Sequence, residues 1–505
     1  MLVVVLLSAS PARAQQTSPA PATPAQAPPT PPGATQITVS CVSKAGERTQ
    51  CAADTSSGVV LVRSSGTAAC LLGKTWGYDQ TSIWVSDGCS ADFATASTVE
   101  AVSTKIGAPR YIPNGGFLLF DGEKGQMYLR LFSYARYLNQ RNLDESYVDA
   151  FGNSHTVQRR QDIQLQKWFS PFSGWFLTPK MRYYLYVWSA NTSQGDPAQV
   201  VGAGNLTWAF NRYVNVGAGI TSLPSVRSTE GQFPYWLGVD DRLIGDEFFR
   251  GSYTSGVWLK GEVKTKFKYM AMFANNLSTL GVSAAQLDNK FDTQSFMLQW
   301  LPTTGEFGPW AGYGDYEGHE KLATRVGIHY THSLEDKQSQ PGTDGIENTQ
   351  IRLSDGSIVF TPDLFGPGVT VNEVDYRMSS IDAGLKYKGL AIEGEAYWRW
   401  LRNFEGVNTA GIPDVNDSGY QMQTSAMPIP KILQTYFSWS QIFGGAYGDD
   451  WEVRGGGNWF PMKERGIRIN GEWMYVNRSP VGYTAYPYPV GAKGPVFHLN
   501  FEMNF

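Results

Sequence analysis

The chain has 505 residues and a formal net charge of −4, and its charged residues, at 17%, fall below the roughly 25% usual in soluble domains. The slightly acidic balance argues against a nucleic-acid partner, which would favour a basic surface. Beyond the N-terminus, no apolar run approaches the roughly 18 residues of a membrane-spanning helix. Low charge together with 16 Trp, 26 Tyr and 26 Phe suits a transmembrane β-barrel, which needs aromatic girdles at both membrane interfaces.

The first residues have the pattern of an export signal. An apolar run from Leu2 to Leu7 precedes Ala12-Arg13-Ala14, which predicts a signal peptide over residues 1–14. The basic segment that usually opens such a signal is missing, so the natural start could lie upstream. Residues 15–35 are almost all Pro, Ala, Thr and Gln and are predicted to be an extended linker.

All four cysteines follow the linker, at Cys41, Cys51, Cys70 and Cys89. Their spacing is not that of a zinc site and no His lies nearby, so we predict two disulfides that staple a small exported module over residues 36–95. Three pairings are possible, and we favour Cys41–Cys51 with Cys70–Cys89. A connector over residues 96–126 is predicted to follow.

Two aromatic stretches in the module carry a resemblance. Thr75-Trp76-Gly77-Tyr78-Asp79 and Ile83-Trp84-Val85-Ser86-Asp87-Gly88-Cys89 resemble a small bacterial exported domain family of unknown function. The resemblance implies a β-rich module and no known activity. Trp76, Tyr78 and Trp84 would form either the module's small core, which we favour, or a glycan-stacking patch.

From residue 127 to 505 the sequence alternates apolar and polar residues with period two, which predicts strands with one apolar and one polar face. We expect sixteen, an even number, as a closed antiparallel barrel from one chain requires. The predicted strands are 127–137, 158–169, 175–189, 203–210, 213–221, 254–264, 266–275, 293–301, 321–332, 376–387, 389–400, 419–427, 432–443, 450–460, 466–476 and 495–505. The fold prediction is therefore an all-β protein, a 16-stranded antiparallel transmembrane barrel preceded by a disulfide-stapled β module.

The last predicted strand shows the alternation most clearly. Its apolar row runs from Phe497 to the terminal Phe505 and is expected to face lipid, while the row from His498 to Asn504 is expected to face the lumen. We expect Phe505 to be the insertion signal read by the barrel-assembly machinery.

The predicted connections alternate between long and short, as in bacterial barrels with long outer loops and short periplasmic turns. The long ones are 138–157, 190–202, 222–253, 276–292, 333–375, 401–418 and 477–494, and the short ones are 170–174, 211–212, 265, 388 and 461–465. Two connections depart from this rule, since 302–320 is a long inner one and 444–449 a short outer one.

One long connection is a candidate constriction. By analogy with sixteen-stranded porins, residues 222–253 occupy the position of the loop that folds into the lumen. Its charged residues are Arg227, Asp240, Asp241, Arg242, Asp246, Glu247 and Arg250. Solvated outer loops also carry charge, so an outward loop is the alternative.

Several short motifs over residues 115–505 resemble the phosphate-selective porin O/P family of outer-membrane porins. They are Gly116-Phe117 with Asp121-Gly122, Arg159-Arg160, Asp241-Arg242-Leu243 with Phe248-Phe249-Arg250, and Gly457-Asn458-Trp459-Phe460-Pro461. The resemblance implies a homotrimeric channel in which lysines and arginines attract anions. The cysteine module and the lack of a dense basic run depart from the family's pattern.

The predicted inward residues differ in sign along the barrel. The early strands are expected to form a basic wall and the late strands a more acidic one, so that a transverse field filters polar solutes; simple solvation of these side chains is the alternative. The expected basic lining residues are Arg130, Arg136, Lys180, Arg182, Lys260, Lys264, Lys266 and Lys268. The expected acidic residues opposite are Asp382, Glu393, Glu395, Glu452, Glu472 and Glu502.

These patterns predict a passive porin for small hydrophilic solutes, with a preference for anions or phosphate as the open question. It would sit in the outer membrane of a Gram-negative bacterium, against lipid and lipopolysaccharide, with its module in the periplasm. The alternative is an anchor or adhesin barrel that displays the module with little transport. With five His and neither a GxSxG nor an HExxH motif, we expect no enzyme, cofactor or metal.

Overall fold

The computed structural model describes residues 36–53, 55, 59–79, 81–96, 110–112, 115–190, 199–229, 235–278, 290–309, 312–337, 346, 348–483 and 486–505. The predicted signal peptide 1–14 and linker 15–35 lie outside the described residues. The chain divides into two compact units, Met1–Ser103 and Thr104–Phe505. Among the described residues, no helix is both long and apolar enough to cross a membrane.

The first unit is a small all-β module with two three-stranded antiparallel sheets, in the orders β1-β6-β3 and β2-β5-β4. Its strands are β1 (Gln36–Val42), β2 (Arg48–Ala52), β3 (Val59–Ser64), β4 (Trp76–Tyr78), β5 (Ser82–Ser86) and β6 (Ser90–Ala96). The favoured disulfide pairing is confirmed, with Cys41 bonded to Cys51 and Cys70 to Cys89. These bonds staple a module whose own core is too small to hold it firmly.

The aromatic residues of the module divide between its core and its surface. Trp76 is 5% exposed and packs with Phe93, whereas Tyr78 is 43% exposed. The ring of Trp84 lies over Gly77 on β4, and the guanidinium of Arg48 lies 3.9 Å from the centre of that ring. Because Gly77 has no Cβ, the Trp84 ring can lie this close to the backbone of β4.

The described part of the second unit opens with a meander and a first loop, and the meander begins within the predicted connector. These strands are β7 (Arg110–Ile112), β8 (Gly116–Gly122), β9 (Gly125–Leu129), β10 (Phe132–Asn139), β11 (Ser146–Val148) and β12 (Ser154–Thr156). Strands β7 and β8 occupy part of the segment 96–126 that we expected to be a plain connector. Strand β9 is followed at once by β10, and the two together form the first strand of the barrel wall.

The barrel continues through fifteen further strands. They are β13 (Gln161–Phe176), β14 (Thr178–Ala190), β15 (Gln199–Ala209), β16 (Asn215–Ser222), β17 (Tyr253–Val263), β18 (Phe267–Ala274), β19 (Thr293–Trp300), β20 (Ala323–Asp336), β21 (Thr370–Tyr387), β22 (Leu390–Val407), β23 (Val415–Ile429), β24 (Leu433–Phe443), β25 (Trp451–Trp459), β26 (Ile467–Asn477) and β27 (Lys493–Asn504). With β10 they make the sixteen antiparallel strands that the alternation predicts, so the fold prediction is confirmed.

The last strand closes the barrel on the first. Strand β27 pairs with β10 from Phe132 opposite Asn504 to Asn139 opposite Phe497, and Phe505 exchanges two backbone hydrogen bonds with Leu131. The predicted faces of this strand hold, since Phe497, Leu499 and Phe501 are 41–46% exposed on the outside. The intervening His498 and Asn500 are 0% exposed, inside the barrel.

The connections define two ends of the barrel, which we call the short-turn end and the long-loop end. At Lys264-Thr265 and Lys388-Gly389, two consecutive residues with positive φ form tight hairpin turns. The predicted turn over 170–174 is wrong, because β13 continues through it to Phe176. The chain instead turns at Leu177, whose φ is +60°.

Long connections fold back into the barrel and build a hydrophobic core there. Ile351, Leu353 and Phe360 from the connection after β20 join Tyr486 and Tyr488 from the one before β27. All five are no more than 1% exposed, and they pack with the inward residues Met378, Tyr397 and Met474. Part of the interior at the long-loop end is therefore filled by folded loops.

Candidate functional site within the barrel

The described residues of the connection between β16 and β17, 223–229 and 235–252, lie inside the barrel. It carries a short helix, α1 (Ile244–Phe249), whose Phe249 ring stacks on Tyr397 of β22 with ring centres 5.0 Å apart. The Gly245 backbone N–H donates to Ser440 Oγ at 3.0 Å, and the Ile244 N–H donates to the carboxylate of Glu452 at 2.5 Å. We call residues 223–229 and 235–252 the constriction loop. Its predicted charged residues are all buried or nearly so: Arg227, Asp240, Asp241, Arg242, Asp246, Glu247 and Arg250.

Arg227 attaches the constriction loop to the wall formed by β21 and β22. Its guanidinium pairs with Glu393 and lies 3.9 Å from an oxygen of Asp382. The Arg227 backbone N–H donates to Glu395 at 3.1 Å. These side chains are at most 4% exposed, so the pairing takes place away from bulk water.

A second group of charges holds the far part of the loop to β25, β26 and β27. Arg454 lies 2.7 Å from Asp241 of the loop and 2.7 Å from Glu452 on its own strand. Arg250 pairs with Glu247 within the loop itself. Buried charges are tolerated only when they are paired, and this loop supplies partners for the wall's acids and arginines.

Three groups near this anchor have the composition of a metal site. Asp241, Glu472 and His498 each bring a ligand atom within 4.8 Å of the others. The neighbouring hydrogen bonds do not fit a metal, however. Arg136 Nε donates to Asn500 Oδ1 at 2.8 Å, which turns the Asn500 amide nitrogen toward His498 Nδ1 at 3.2 Å.

The orientation of the Asn500 amide determines which ring nitrogen of His498 carries the proton. With Nδ1 of His498 accepting, the ring carries its proton on Nε2, which donates to Glu472 at 2.7 Å. If a metal were bound to Nε2, the ring proton would have to lie on Nδ1 and be donated to an acceptor. The neighbour of Nδ1 is instead the Asn500 amide nitrogen, which is a donor. We therefore interpret Asp241, Glu472 and His498 as a charge and hydrogen-bond network.

A second segment folds inward from the short-turn end. This is the connection 302–320 between β19 and β20, which is longer than the short inner connections that the alternation of loop lengths predicts. Its Tyr313 packs with Trp236 and Leu237 of the constriction loop, and its Gly314 N–H donates to Glu393 at 2.9 Å. The Lys386 ammonium donates to the Phe307 carbonyl at 2.9 Å and to the Gly312 carbonyl. We call the described residues of this connection, 301–309 and 312–322, the inner turn.

A histidine clasp stabilises the inner turn. One ring nitrogen of His319 hydrogen bonds with Asp315, and the other lies 3.1 Å from Glu306. Burial disfavours the charged ring, but these two carboxylates outweigh burial and raise the pKa of His319 to about 9. For Asp315 and Glu306, burial is likewise outweighed by the hydrogen bonds from His319, and each pKa is lowered.

The predicted basic residues occupy three environments. Arg136 is buried and donates to the Val239 carbonyl of the constriction loop, while Arg130 is half-buried and donates to Tyr235 and Asn504. Lys264 and Lys266 lie in the turn between β17 and β18, so their placement differs from the expected strand positions. The remaining four face the interior and keep contact with solvent: Lys180, Arg182, Lys260 and Lys268.

These four cations belong to a part of the interior that the described loops leave uncovered. We call this part the open wall, and it consists of Lys180, Arg182, Tyr184, Asn205, Thr207, Lys260, Glu262 and Lys268. Each of its residues is exposed or half-buried. Glu262 is its one acid, and it faces Lys268 across the strand pair and lies 3.5 Å from Arg212.

The predicted acidic residues are in the opposite situation. All six are at most 4% exposed, and each contacts a hydrogen-bonding or cationic group: Asp382, Glu393, Glu395, Glu452, Glu472 and Glu502. Asp382 pairs with Arg325, and Glu502 pairs with Arg468. The two walls therefore do not face one another across water. The basic wall is open, whereas the acidic wall is covered by the inward-folded loops. Its carboxylates are hydrogen bonded or ion-paired, partly with loop residues such as Arg227 and partly with arginines of the wall itself.

Comparisons with known proteins bear on the two units separately. Residues 38–107 match a family described as protein of unknown function (DUF3011). No curated protein sequence matches the chain. Three solved structures are similar over 76% of this chain: OmpT of Vibrio cholerae (11% identity, 99% of that chain, TM-score 0.46), an anion-selective porin from Comamonas acidovorans (10%, 100%, 0.47) and the outer membrane channel DcaP of Acinetobacter baumannii (9%, 98%, 0.46). Identities near 10% and these TM-scores do not identify a solute or a selectivity.

Proposed function

We propose that this protein is an outer-membrane porin that passes small hydrophilic solutes and prefers anions. The conducting path would run along the open wall, beside the constriction loop. The observation that carries the proposal is the difference in exposure between the two signs of charge. Four cations and one acid of the open wall contact solvent, whereas the six acids opposite are buried and each is ion-paired or hydrogen bonded.

This arrangement of charges favours anions for an electrostatic reason. Charges that line a water-filled path raise the local concentration of counter-ions, whereas buried ion pairs contribute little field to that path. The open wall therefore presents a positive potential. A preference for phosphate over other anions, as the resemblance to porins of the O/P type implies, stays a prediction, as does a homotrimer.

The decisive experiment measures the reversal potential of the purified protein in planar bilayers under a salt gradient. We expect the wild type to select chloride over potassium, and Lys260→Glu with Lys268→Glu to move the reversal potential toward cations. The matched control is Lys264→Glu with Lys266→Glu, which makes the same change of net charge in the neighbouring turn and should shift the value much less.

Two results would count against this proposal. An unchanged reversal potential in the Lys260 and Lys268 variant would remove the open wall from selectivity. A well-folded wild type without conductance would instead favour the second candidate function. Substituting phosphate for chloride in the same bilayers tests the phosphate preference.

The second candidate is an outer-membrane anchor or adhesin that displays the cysteine module with little transport. The hydrophobic core formed by Ile351, Phe360, Tyr486 and Tyr488 favours it, because these loop residues fill interior space that an open channel would leave to water. In either case the short-turn end would face the periplasm, as in bacterial barrels. The placement of the module there and the reading of Phe505 by the assembly machinery stay predictions.

A further inference from the structure

A cavity of about 140 Å³ lies at the short-turn end of the barrel unit. It is bounded by Arg130 at the end of β9, Tyr235 of the constriction loop and Tyr316 of the inner turn, with Lys431, Lys463 and Arg465 from two further turns. A smaller cavity adjoins it and shares Tyr235, Tyr316 and Arg465 with it. We call the larger one the vestibule cavity.

The lining of the vestibule cavity combines positive charge with aromatic rings. Its four cations, Arg130, Lys431, Lys463 and Arg465, exceed its two acids, Glu317 and Glu464, by two charges. Four rings also line it, those of Tyr111, Tyr235, Tyr316 and Phe505. Concave sites that combine aromatic surface with convergent polar groups bind small molecules.

Arg465 lies where the positive charge and the aromatic rings of the cavity meet. Its guanidinium carbon lies 5.0 Å from the centre of the Tyr235 ring and 4.7 Å from that of Tyr316, within cation–π distance of both. Its side chain is 14% exposed, and its closest carboxylate among the described residues, that of Glu317, is 3.8 Å from Nε. Nε has no hydrogen-bond partner among the described residues.

This arrangement holds a partly desolvated cation ready for an anion. Burial lowers the pKa of Arg465, because the water that would solvate its charge is excluded. An anionic group that accepted hydrogen bonds from Arg465 would restore the lost solvation, and charge-assisted hydrogen bonds of this kind are the strong ones.

We propose that the vestibule cavity is a binding site for a small organic anion whose acidic group pairs with Arg465 and whose planar body lies against Tyr235 and Tyr316. The inference rests on the proposed function, since it names a solute class for the same anion-preferring channel. The site is formed where the constriction loop meets the inner turn, so a bound anion contacts both inward folds.

The test is calorimetric titration of the intact protein in detergent with benzoate, benzamide and inorganic phosphate. We expect benzoate to bind, and benzamide and phosphate each to bind about tenfold more weakly, because the first lacks the charge and the second lacks the ring. Arg465→Gln should weaken benzoate binding by about tenfold. Arg212→Gln lies in a turn outside the cavity and should leave the affinity for benzoate unchanged.

Each alternative result has a definite meaning. Equal binding of benzamide would show an apolar cavity without anion recognition, and equal binding of phosphate would remove the rings from the site; either result would overturn the proposal, as would no benzoate binding at all. If Arg465→Gln fails to fold, Lys431→Gln with Lys463→Gln should weaken binding in the same direction, and unchanged affinity would contradict the proposal. Binding in detergent is independent of conductance, so failure here is distinguishable from failure of the porin function.

Discussion

Arg227 offers the strongest test of how the constriction loop is held. The substitution Arg227→Met removes the cation that pairs with Glu393 and lies near Asp382, where the three side chains are 2%, 2% and 0% exposed. Removing one partner of a buried ion pair costs about 3–5 kcal/mol, because the remaining charge stays buried. Since about 1.4 kcal/mol corresponds to a factor of ten, the ratio of anchored to displaced loop should fall by about two to three and a half orders of magnitude.

Single-channel conductance and thermal unfolding measure the two consequences of this change. We expect Arg227→Met to show a larger or strongly fluctuating conductance and a lower unfolding temperature. Arg212→Met is the matched control: its pair with Glu262 spans 3.5 Å with side chains 48% and 37% exposed, and surface pairs contribute only about 0–1 kcal/mol. The unfolding temperature should therefore stay near the wild-type value in the control, and its conductance should not fluctuate.

A double substitution separates loss of the pair from general damage. In Arg227→Met with Glu393→Gln, the uncompensated carboxylate is gone, while Asp382 keeps its pairing with Arg325. The double variant should recover part of the lost stability, which a double-mutant cycle measures. If Arg227→Met matched the wild type in both assays, or if the Arg212 control lost as much stability, Arg227 would not be the anchor of the constriction loop.

Two further predictions concern the inner turn and the module. Because the folded-state pKa of His319, about 9, exceeds the ordinary value near 6.5, its protonation stabilises the inner turn fully below that ordinary value and the contribution is lost as pH rises through about 9. The unfolding temperature should therefore fall more steeply between pH 7 and pH 10 in the wild type than in His319→Gln, and parallel curves would contradict the clasp. Reduction of Cys41–Cys51 and Cys70–Cys89 should make the module protease-sensitive while the barrel resists, since each lost disulfide costs about 2–5 kcal/mol. Mass spectrometry of the fragments, compared with those of the unreduced protein, measures this. If the reduced module stayed resistant, its core alone would be enough to keep it folded.

The sequence by itself determined the barrel, because strand faces and strand count depend on local alternation. A membrane strand must put apolar side chains toward lipid at every second residue, so the row from Phe497 to Phe501 marks the outer face without knowledge of any partner. Loop lengths then assigned the two ends, and the cysteine spacing indicated a stapled module. Turn positions were less certain, and β13 runs through the segment 170–174 because Pro171 and Gly174 are accommodated within a strand of the wall.

Only the tertiary structure decided which interior charges meet water. Alternation places Lys260 and Glu395 on the same face of the wall, but it cannot say that the constriction loop covers Glu395 and leaves Lys260 open. That difference depends on contacts between residues far apart in the chain, such as Arg227 with Glu393 and Tyr313 with Trp236. The expected transverse field thus became a basic open wall and a buried acidic one, because long-range pairing sets the burial of a charge and the local sequence sets only the side of the strand on which it lies.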